Sequence, residues 1–366
     1  MENPFSYTKI VTGPSFCNRK LEQEELLSYI KNSQNVLLYS YRRLGKTSLI
    51  HQLLSNLNKN FKYLYLDLYG TLTEKDFILS IINNLGQIES KIEKLFQITK
   101  DIFQSIKINF SLDPVTNLPT INASLDFENK NKYLEETMQT LDRLSQKNKL
   151  IIVFDEFQEI ANYSKGEFEK KLRKLIQTHQ NICYIFSGSR RHLLWQMFNS
   201  KRQAFYKLAE SYPLQKIATK EYLKWATKLF KQKKVSLDPQ IATEIIEQCE
   251  NHPMHIQRCF YHLWEEKNIS LETIPKIINK ITDRHQDEFL SIWNSLSSNQ
   301  RKTLKLIVVN NGKDLFSANS MEKVGLQSGS QVTKSLEVLI RRDLIWKNHT
   351  YHLQDVIFKN WLKKIL

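Results

Sequence analysis

Apolar and polar positions along this chain change rhythm three times. Up to about residue 217, short unbroken apolar runs alternate with stretches of one-face helical spacing. NVLLYS at 35–40, FKYLYLDLYG at 61–70, LIIVFDE at 150–156, NICYIFSGS at 181–189 and YPLQKI at 212–217 read as strands. Unbroken runs of this kind belong to parallel strands covered by helices on both faces. Between them, Leu49, Ile50, Leu53, Leu54 and Leu57 recur on one face of a helix. TEKDFILSIINNLG (73–86) opens on a capping-type Thr and closes at Gly86, and helices are expected over 133–147 and 166–179. FCNRKLEQEELLSYI (16–30) reads as a leading strand or loop followed by an amphipathic helix. Alternation of strand and helix is the pattern of an α/β fold around a parallel sheet.

A second rhythm interrupts the first. Between about 87 and 130, Ile106, Ile108, Phe110 and Leu112 alternate with polar residues, as do Ile121, Ala123, Leu125 and Phe127. The spacing predicts a β-hairpin around a loop bearing Pro and Asn. From 219 to 266 only helical patterns remain, for example Ile241, Ile245, Ile246 and Cys249. The last 70 or so residues read as a capped helix (SSNQRKTLKLIVV), a short second one (SANSMEKVGLQ) and a third running into a strand (SGSQVTKSLEVLIRRDLI). A two-stranded wing (IWKNHTYHL) follows, turning at Asn348 and His349. That is the plan of a winged helix-turn-helix. The expected division is a core at 1–217 with its hairpin insertion at about 87–130, a helical lid at 218–290 and a winged helix at 291–366.

Composition bounds what these domains do. At 366 residues the chain is too long for one ordinary α/β domain, and 41% apolar content supports real cores. The first residues, MENPFSYTKI, carry neither an apolar signal region nor a small-residue cleavage site, and no apolar stretch reaches the length of a membrane span. Cys17, Cys183, Cys249 and Cys259 are scattered, which fits a reducing cytoplasm and indicates neither a disulfide framework nor a zinc site. The net charge of +15 points toward a polyanionic partner. Its distribution is more informative. Residues 295–366 hold 12 Lys and Arg against 5 Asp and Glu, so almost half the excess sits in a fifth of the chain.

The chemistry begins where the first strand ends. Residues 36–50, VLLYSYRRLGKTSLI, run from an apolar strand through a basic loop into Gly45-Lys46-Thr47 and a helix. A triphosphate is a compact polyanion, held well by backbone N–H groups at a helix N-terminus, one lysine and a hydroxyl for Mg²⁺. Ser40, Arg42, Arg43, Leu44, Gly45, Lys46, Thr47 and Ser48 are therefore the candidate phosphate loop. The general G-x-x-x-x-G-K-[ST] pattern has Gly where this chain has Ser40. Serine fits there at negative φ and is strained at positive φ.

About a hundred residues on, LIIVFDE ends in two carboxylates. Acids at the C-terminal end of a buried parallel strand stand at the crevice where open α/β sheets bind ligands. Asp155 is expected to hold Mg²⁺ together with Thr47, and Glu156 to polarise the attacking water. Ser187 and Ser189 end the next strand, where a hydroxyl orients that water or senses the γ-phosphate; an ordinary strand-to-loop turn is the alternative. Asn251-His252-Pro253 opens a helix whose start either faces an anion or is simply capped. His252 and His255 lack a carboxylate or thiol to complete a metal site. Lys334, Arg341, Arg342 and Lys347 give the winged helix a cationic surface suited to DNA phosphates, with docking of a protein as the alternative.

Together these residues resemble the archaeal-type ATPase family of P-loop proteins, related to AAA+ and STAND ATPases. The likeness runs from about Phe16 to the C-terminus. The family's F-x-G-R-E-x-E box is similar to Phe16-Cys17-Asn18-Arg19-Lys20-Leu21-Glu22, with Asn18 and Lys20 departing and Arg19 retained. Its G-P-R-R-x-G-K-T-S-L loop is matched at Arg42, Arg43 and Gly45 to Leu49, with Ser40 and Tyr41 in place of Gly and Pro. Asp155-Glu156-Phe157-Gln158 repeats its hydrophobic-D-E-F-Q motif, and FSGSRRHLLWQMF (186–198) is similar to its sensor segment. Asn251-His252-Pro253 stands at the family's G-H-P, and YHLQDVIFKNWLKK resembles its closing segment, with Val356 for Pro. Phe205 and Tyr206 are followed by Lys207 and Leu208 where the family often has an arginine.

The resemblance implies an AAA+/STAND-type, Mg²⁺-dependent ATPase with slow turnover. Arg19, His252 and Pro253 would then join the phosphate loop around ATP. Two other readings stay open: a DNA-binding switch that binds ATP without useful hydrolysis, and a signalling or defence-type module whose winged helix docks a protein. Adenine rather than guanine rests on the resemblance, since no N-K-x-D guanine reader is present.

Overall fold

The computed structural model describes residues 2–89, 107–112, 119–124, 130–163 and 166–366. Five strands form one parallel sheet: β1 (Val36–Tyr39), β2 (Phe61–Asp67), β5 (Lys149–Asp155), β6 (Ile182–Gly188) and β7 (Glu210–Pro213), in the order β2-β5-β6-β1-β7. The three inner strands are buried almost throughout, which is why their sequences are nearly unbroken apolar runs. β6 lies between β1 and β5, so the end of the Ser187-Gly188-Ser189 strand comes between the phosphate loop and the acids.

Two expectations about strands and one about a helix need correction. FKYLYLDLYG is an edge strand: Leu64, Leu66 and Leu68 are buried while Lys62, Tyr63 and Asp67 are exposed. Its alternation is the signature of a strand with one wet face. β7 starts at Glu210 rather than Tyr212 and ends at Pro213, which has no N–H to donate. The helix after β2 runs Glu74–Asn83 and gives way to a 3₁₀ turn, Leu85–Gln87, instead of stopping at Gly86. Its start is as expected, with Thr73 and Asp76 each bonding the other's backbone N–H.

The hairpin forms from β3 (Lys107–Leu112) and β4 (Pro119–Ser124), antiparallel with Phe110 opposite Ile121. Its loop, with Ile106, Leu125 and Phe127, lies outside the described residues. Helices Glu74–Asn83, Lys130–Ser145, Glu167–Ile176 and Arg191–Asn199 share one apolar core with the strands, and helix Lys46–Ser55 buries Leu49, Ile50, Leu53 and Leu54.

The chain divides into two compact units, Arg19–Gln215 and a second made of Met1–Asn18 with Lys216–Leu366. The first residues thus leave the core with which they were expected to fold. Phe5 explains the change. Its ring is buried in the second unit, 5.1 Å from Trp225 and 5.4 Å from Phe260, while Gln257 accepts from the Ser6 amide and donates to the Ser15 carbonyl. The expected lid and winged helix also share one apolar core. Within that unit, helices Thr219–Gln232, Pro239–Gln248, Pro253–Glu265, Thr273–Arg284 and Gln286–Asn294 lead into the winged helix. It comprises helices Ser298–Val309, Ala318–Lys323 and Gly329–Arg341 and the antiparallel pair β8 (Ile345–Lys347) and β9 (Tyr351–Leu353). A last helix, Val356–Ile365, is capped by Asp355, whose carboxylate accepts from the amides of Ile357 and Phe358. Among the described residues, no helix is long and apolar enough to cross a membrane.

Candidate nucleotide-binding site

The loop after β1 is shaped by two left-handed residues, Arg43 (φ 61°) and Gly45 (φ 87°). Ser40 is not among the positive-φ residues, so serine occupies the position usually held by glycine without backbone strain. Gly45 caps helix Lys46–Ser55, and a Cβ added to it would enter open space. The first amides of a helix have no intrahelical acceptor, so those after Gly45 are donors for an anion.

Lys46 is 6% exposed, and its ammonium donates to the Ser40 hydroxyl at 3.4 Å. Burial lowers its pKa; Asp155 and Glu156 oppose the shift and Arg42 adds to it. A buried cation with so little compensation suits a site completed by an anionic ligand. The Thr47 hydroxyl donates to Asp155 Oδ2 at 3.0 Å, joining the loop to the acid strand across 108 residues of sequence. Asp155 is 5% exposed, and its Oδ1 accepts the Glu156 amide at 3.1 Å. Lysine, threonine hydroxyl, acid pair and helix amides therefore meet in one place and fit a nucleoside triphosphate with a hydrated divalent cation.

Glu156 is itself left-handed (φ 51°), and its Oε2 accepts the Ser189 hydroxyl at 3.0 Å, the Ser189 amide at 3.3 Å and the Gln158 side-chain amide. Gly188 makes room for this arrangement, because a Cβ there would stand 2.1 Å from Gln158 Oε1. Ser187 is fully buried, and its hydroxyl has no hydrogen-bond partner among the described residues. The two serines are thus not equivalent: one holds the acid and the other sits inside the sheet.

Arg19 occupies a different place from the one expected. It is 2% exposed, and its guanidinium bonds Glu22 at 2.6 Å, the Gln215 carbonyl at 2.6 Å and the Leu44 carbonyl at 3.2 Å. It braces the phosphate loop from behind. Arg191 packs beside the start of the same loop. Its guanidinium lies over the rings of Tyr39 and Tyr41 and donates to the Tyr41 hydroxyl at 2.9 Å. His252 and Pro253 belong to the other unit, where Pro253 begins a helix and His252 is buried 4.6 Å from the His255 ring. Asn251, standing where the family has Gly, is left-handed (φ 55°) and bonds the Ile217 carbonyl and Thr219 hydroxyl, both at 3.0 Å. Asn is the side chain that tolerates this backbone best after glycine.

Sequence reasoning missed Tyr65, whose phenol donates to Asp155 Oδ2 at 2.6 Å. Burial and then the Asp155 charge push its pKa far up, so it stays a donor. The only signal was its place in an alternating strand, and that becomes meaningful once β2 and β5 are known to pair.

Fold and site together define an AAA+-like P-loop ATPase architecture with a C-terminal winged helix. The chain belongs to the family described as an ATPase domain predominantly from Archaea, whose model matches residues 16–253, and a probable winged helix domain matches 287–364. Among solved structures it is similar to the Walker-type ATPase PABY2304 of Pyrococcus abyssi, at 15% identity and TM-score 0.69, covering 98% of this chain and 99% of that one. The ADP form of the Aeropyrum pernix ORC2 protein aligns at 11% identity and TM-score 0.56, covering 98% and 97% of the two chains. Its ADPNP–ADP complexes align at 13% identity and TM-score 0.52, covering 99% and 97%. Among curated protein sequences, none matches this one.

Proposed function

We propose that this protein is a Mg²⁺-dependent switch that binds and slowly hydrolyses ATP. The observation that carries the reading is the Thr47–Asp155 hydrogen bond beside the buried Lys46. Bound ATP and Mg²⁺ supply the transferable phosphoryl group and the charge that stabilises its transfer. Lys46 and the Gly45–Thr47 backbone hold the phosphates, Thr47 and Asp155 hold the cation, and Glu156 takes the proton of the attacking water. Arg42, Arg43, Leu44 and Ser48 shape the loop. Four free, buried cysteines fit a reducing cytoplasm.

The decisive experiment is steady-state phosphate release by the wild type, Lys46→Ala and Glu156→Gln. Both variants should fall to background. One common rate for all three would place the active site elsewhere.

The winged helix supports binding of DNA as the output of the switch, through residues 295–366. Lys334 and Arg341, one on each side of two helical turns, are exposed on the third helix, and Lys347 is exposed on the wing. A second reading, an ATP-binding regulatory module that docks a protein and hydrolyses little, draws on the hydrogen bonds that hold the Glu156 carboxylate. ATP retained without turnover, with or without DNA, selects it.

A further inference from the structure

Asp155 is supported by a residue outside every motif named so far. Tyr65 pairs with Val153 in the β2–β5 register, so its side chain shares a face with Val153 and with Asp155 two residues on. Its phenol extends toward the strand end and donates to Asp155 Oδ2, the oxygen that also accepts the Thr47 hydroxyl. Two contacts hold Tyr65 itself. β2 is an edge strand, and the Gln87 side chain satisfies its outward backbone at Tyr65, accepting the amide at 2.9 Å and donating to the carbonyl at 3.3 Å. The His51 ring, one turn beyond Thr47 on the phosphate-loop helix, packs 4.7 Å from the Tyr65 ring. Edge strand, acid strand and loop helix thus converge on one carboxylate oxygen.

We infer that Tyr65 is a positioning residue for the divalent cation that accompanies the nucleotide. It fixes the rotation of the Asp155 carboxylate, so that cation binding need not order it. A phenol donating to a carboxylate makes a charge-assisted bond, stronger than a neutral one. Such outer partners orient metal ligands and tune their affinity. The inference rests on the nucleotide-site reading above.

Tyr65→Phe removes the donor alone and keeps the ring against His51 and the backbone clasp of Gln87. The test is binding of a fluorescent ATP analogue, in EDTA and across a Mg²⁺ titration. In EDTA the variant should match the wild type. The Mg²⁺ midpoint should rise about tenfold, the lower end of outer-shell effects on metal affinity. Tyr63→Phe, on the same strand but exposed, should leave both unchanged, and Asp155→Asn should abolish the Mg²⁺ effect. A wild-type Mg²⁺ midpoint in Tyr65→Phe overturns the inference, as does an equal loss of binding in EDTA. If Asp155→Asn also keeps the wild-type Mg²⁺ response, the cation site itself is misplaced and the inference falls with it.

Discussion

The Ser189 hydroxyl donates to the Glu156 carboxylate at 3.0 Å, and the Ser189 amide adds a second bond at 3.3 Å to the same oxygen. The strand expected to sense the γ-phosphate is therefore tied to the group expected to activate water. A base that already accepts three donors is less available to take a proton, so under the proposed function Ser189 would have to release the carboxylate before it acts.

Ser189→Ala should raise single-turnover phosphate release. A hydrogen bond to a charged group contributes about 1.5–3 kcal/mol, and two other donors remain, so a rise of up to about tenfold is expected. A fall instead would make the Ser189 hydroxyl a γ-phosphate contact.

Arg19→Ala should destabilise the protein by about 3 kcal/mol in denaturant unfolding, because it leaves Glu22 and two carbonyls without their buried cation. Nucleotide affinity should fall with it, since Leu44 lies in the phosphate loop. Arg19→Lys should rescue neither, as a single ammonium cannot replace the three-way fork. Lost affinity with stability intact would place Arg19 on the ligand instead.

Glu250 links Lys216 and the final helix: Lys359 lies 2.7 Å from its Oε1 and Lys216 4.0 Å from its Oε2. Burial pushes its pKa up, but the Lys359 hydrogen bond and the charges of Lys359 and Lys216 outweigh that and leave it below the usual value. A carboxylate depressed on folding stabilises above its unfolded pKa, near 4.5, and that stability is lost as pH falls through the folded value. Unfolding midpoints between about pH 6 and 3 should drop in the wild type and flatten in Glu250→Gln. Identical slopes would remove Glu250 from the acid response.

For the winged helix, Lys334→Ala and Arg341→Ala should each lower the slope of log affinity against log salt by about 0.9 if each meets one DNA phosphate. Arg342→Ala should act on stability instead, because its guanidinium bonds the Ser295 hydroxyl at 2.7 Å and the Ser295 carbonyl at 3.3 Å. Mobility shifts at two salt concentrations with unchanged affinity in the wild type would exclude phosphate contacts and favour a protein partner.

Much of the candidate site was legible because its parts are local. Strand, loop, Gly45-Lys46-Thr47 and helix are contiguous, and LIIVFDE carries its acids at its own end. Helix starts were equally plain, since Thr73 with Asp76 and Ser297 with Gln300 are caps written in four residues. The winged helix followed from period and turn residues for the same reason.

Periodicity records which face of an element is dry, and so the sequence by itself determined most of the strands and helices and singled out the candidate phosphate loop and acid pair. It does not record which dry face meets which, because that depends on packing between segments far apart in the chain. Only the tertiary structure placed β6 between β1 and β5, brought Tyr65 to Asp155 and Ser189 to Glu156, turned Arg19 toward Leu44, and seated Phe5 among aromatic rings more than two hundred residues away.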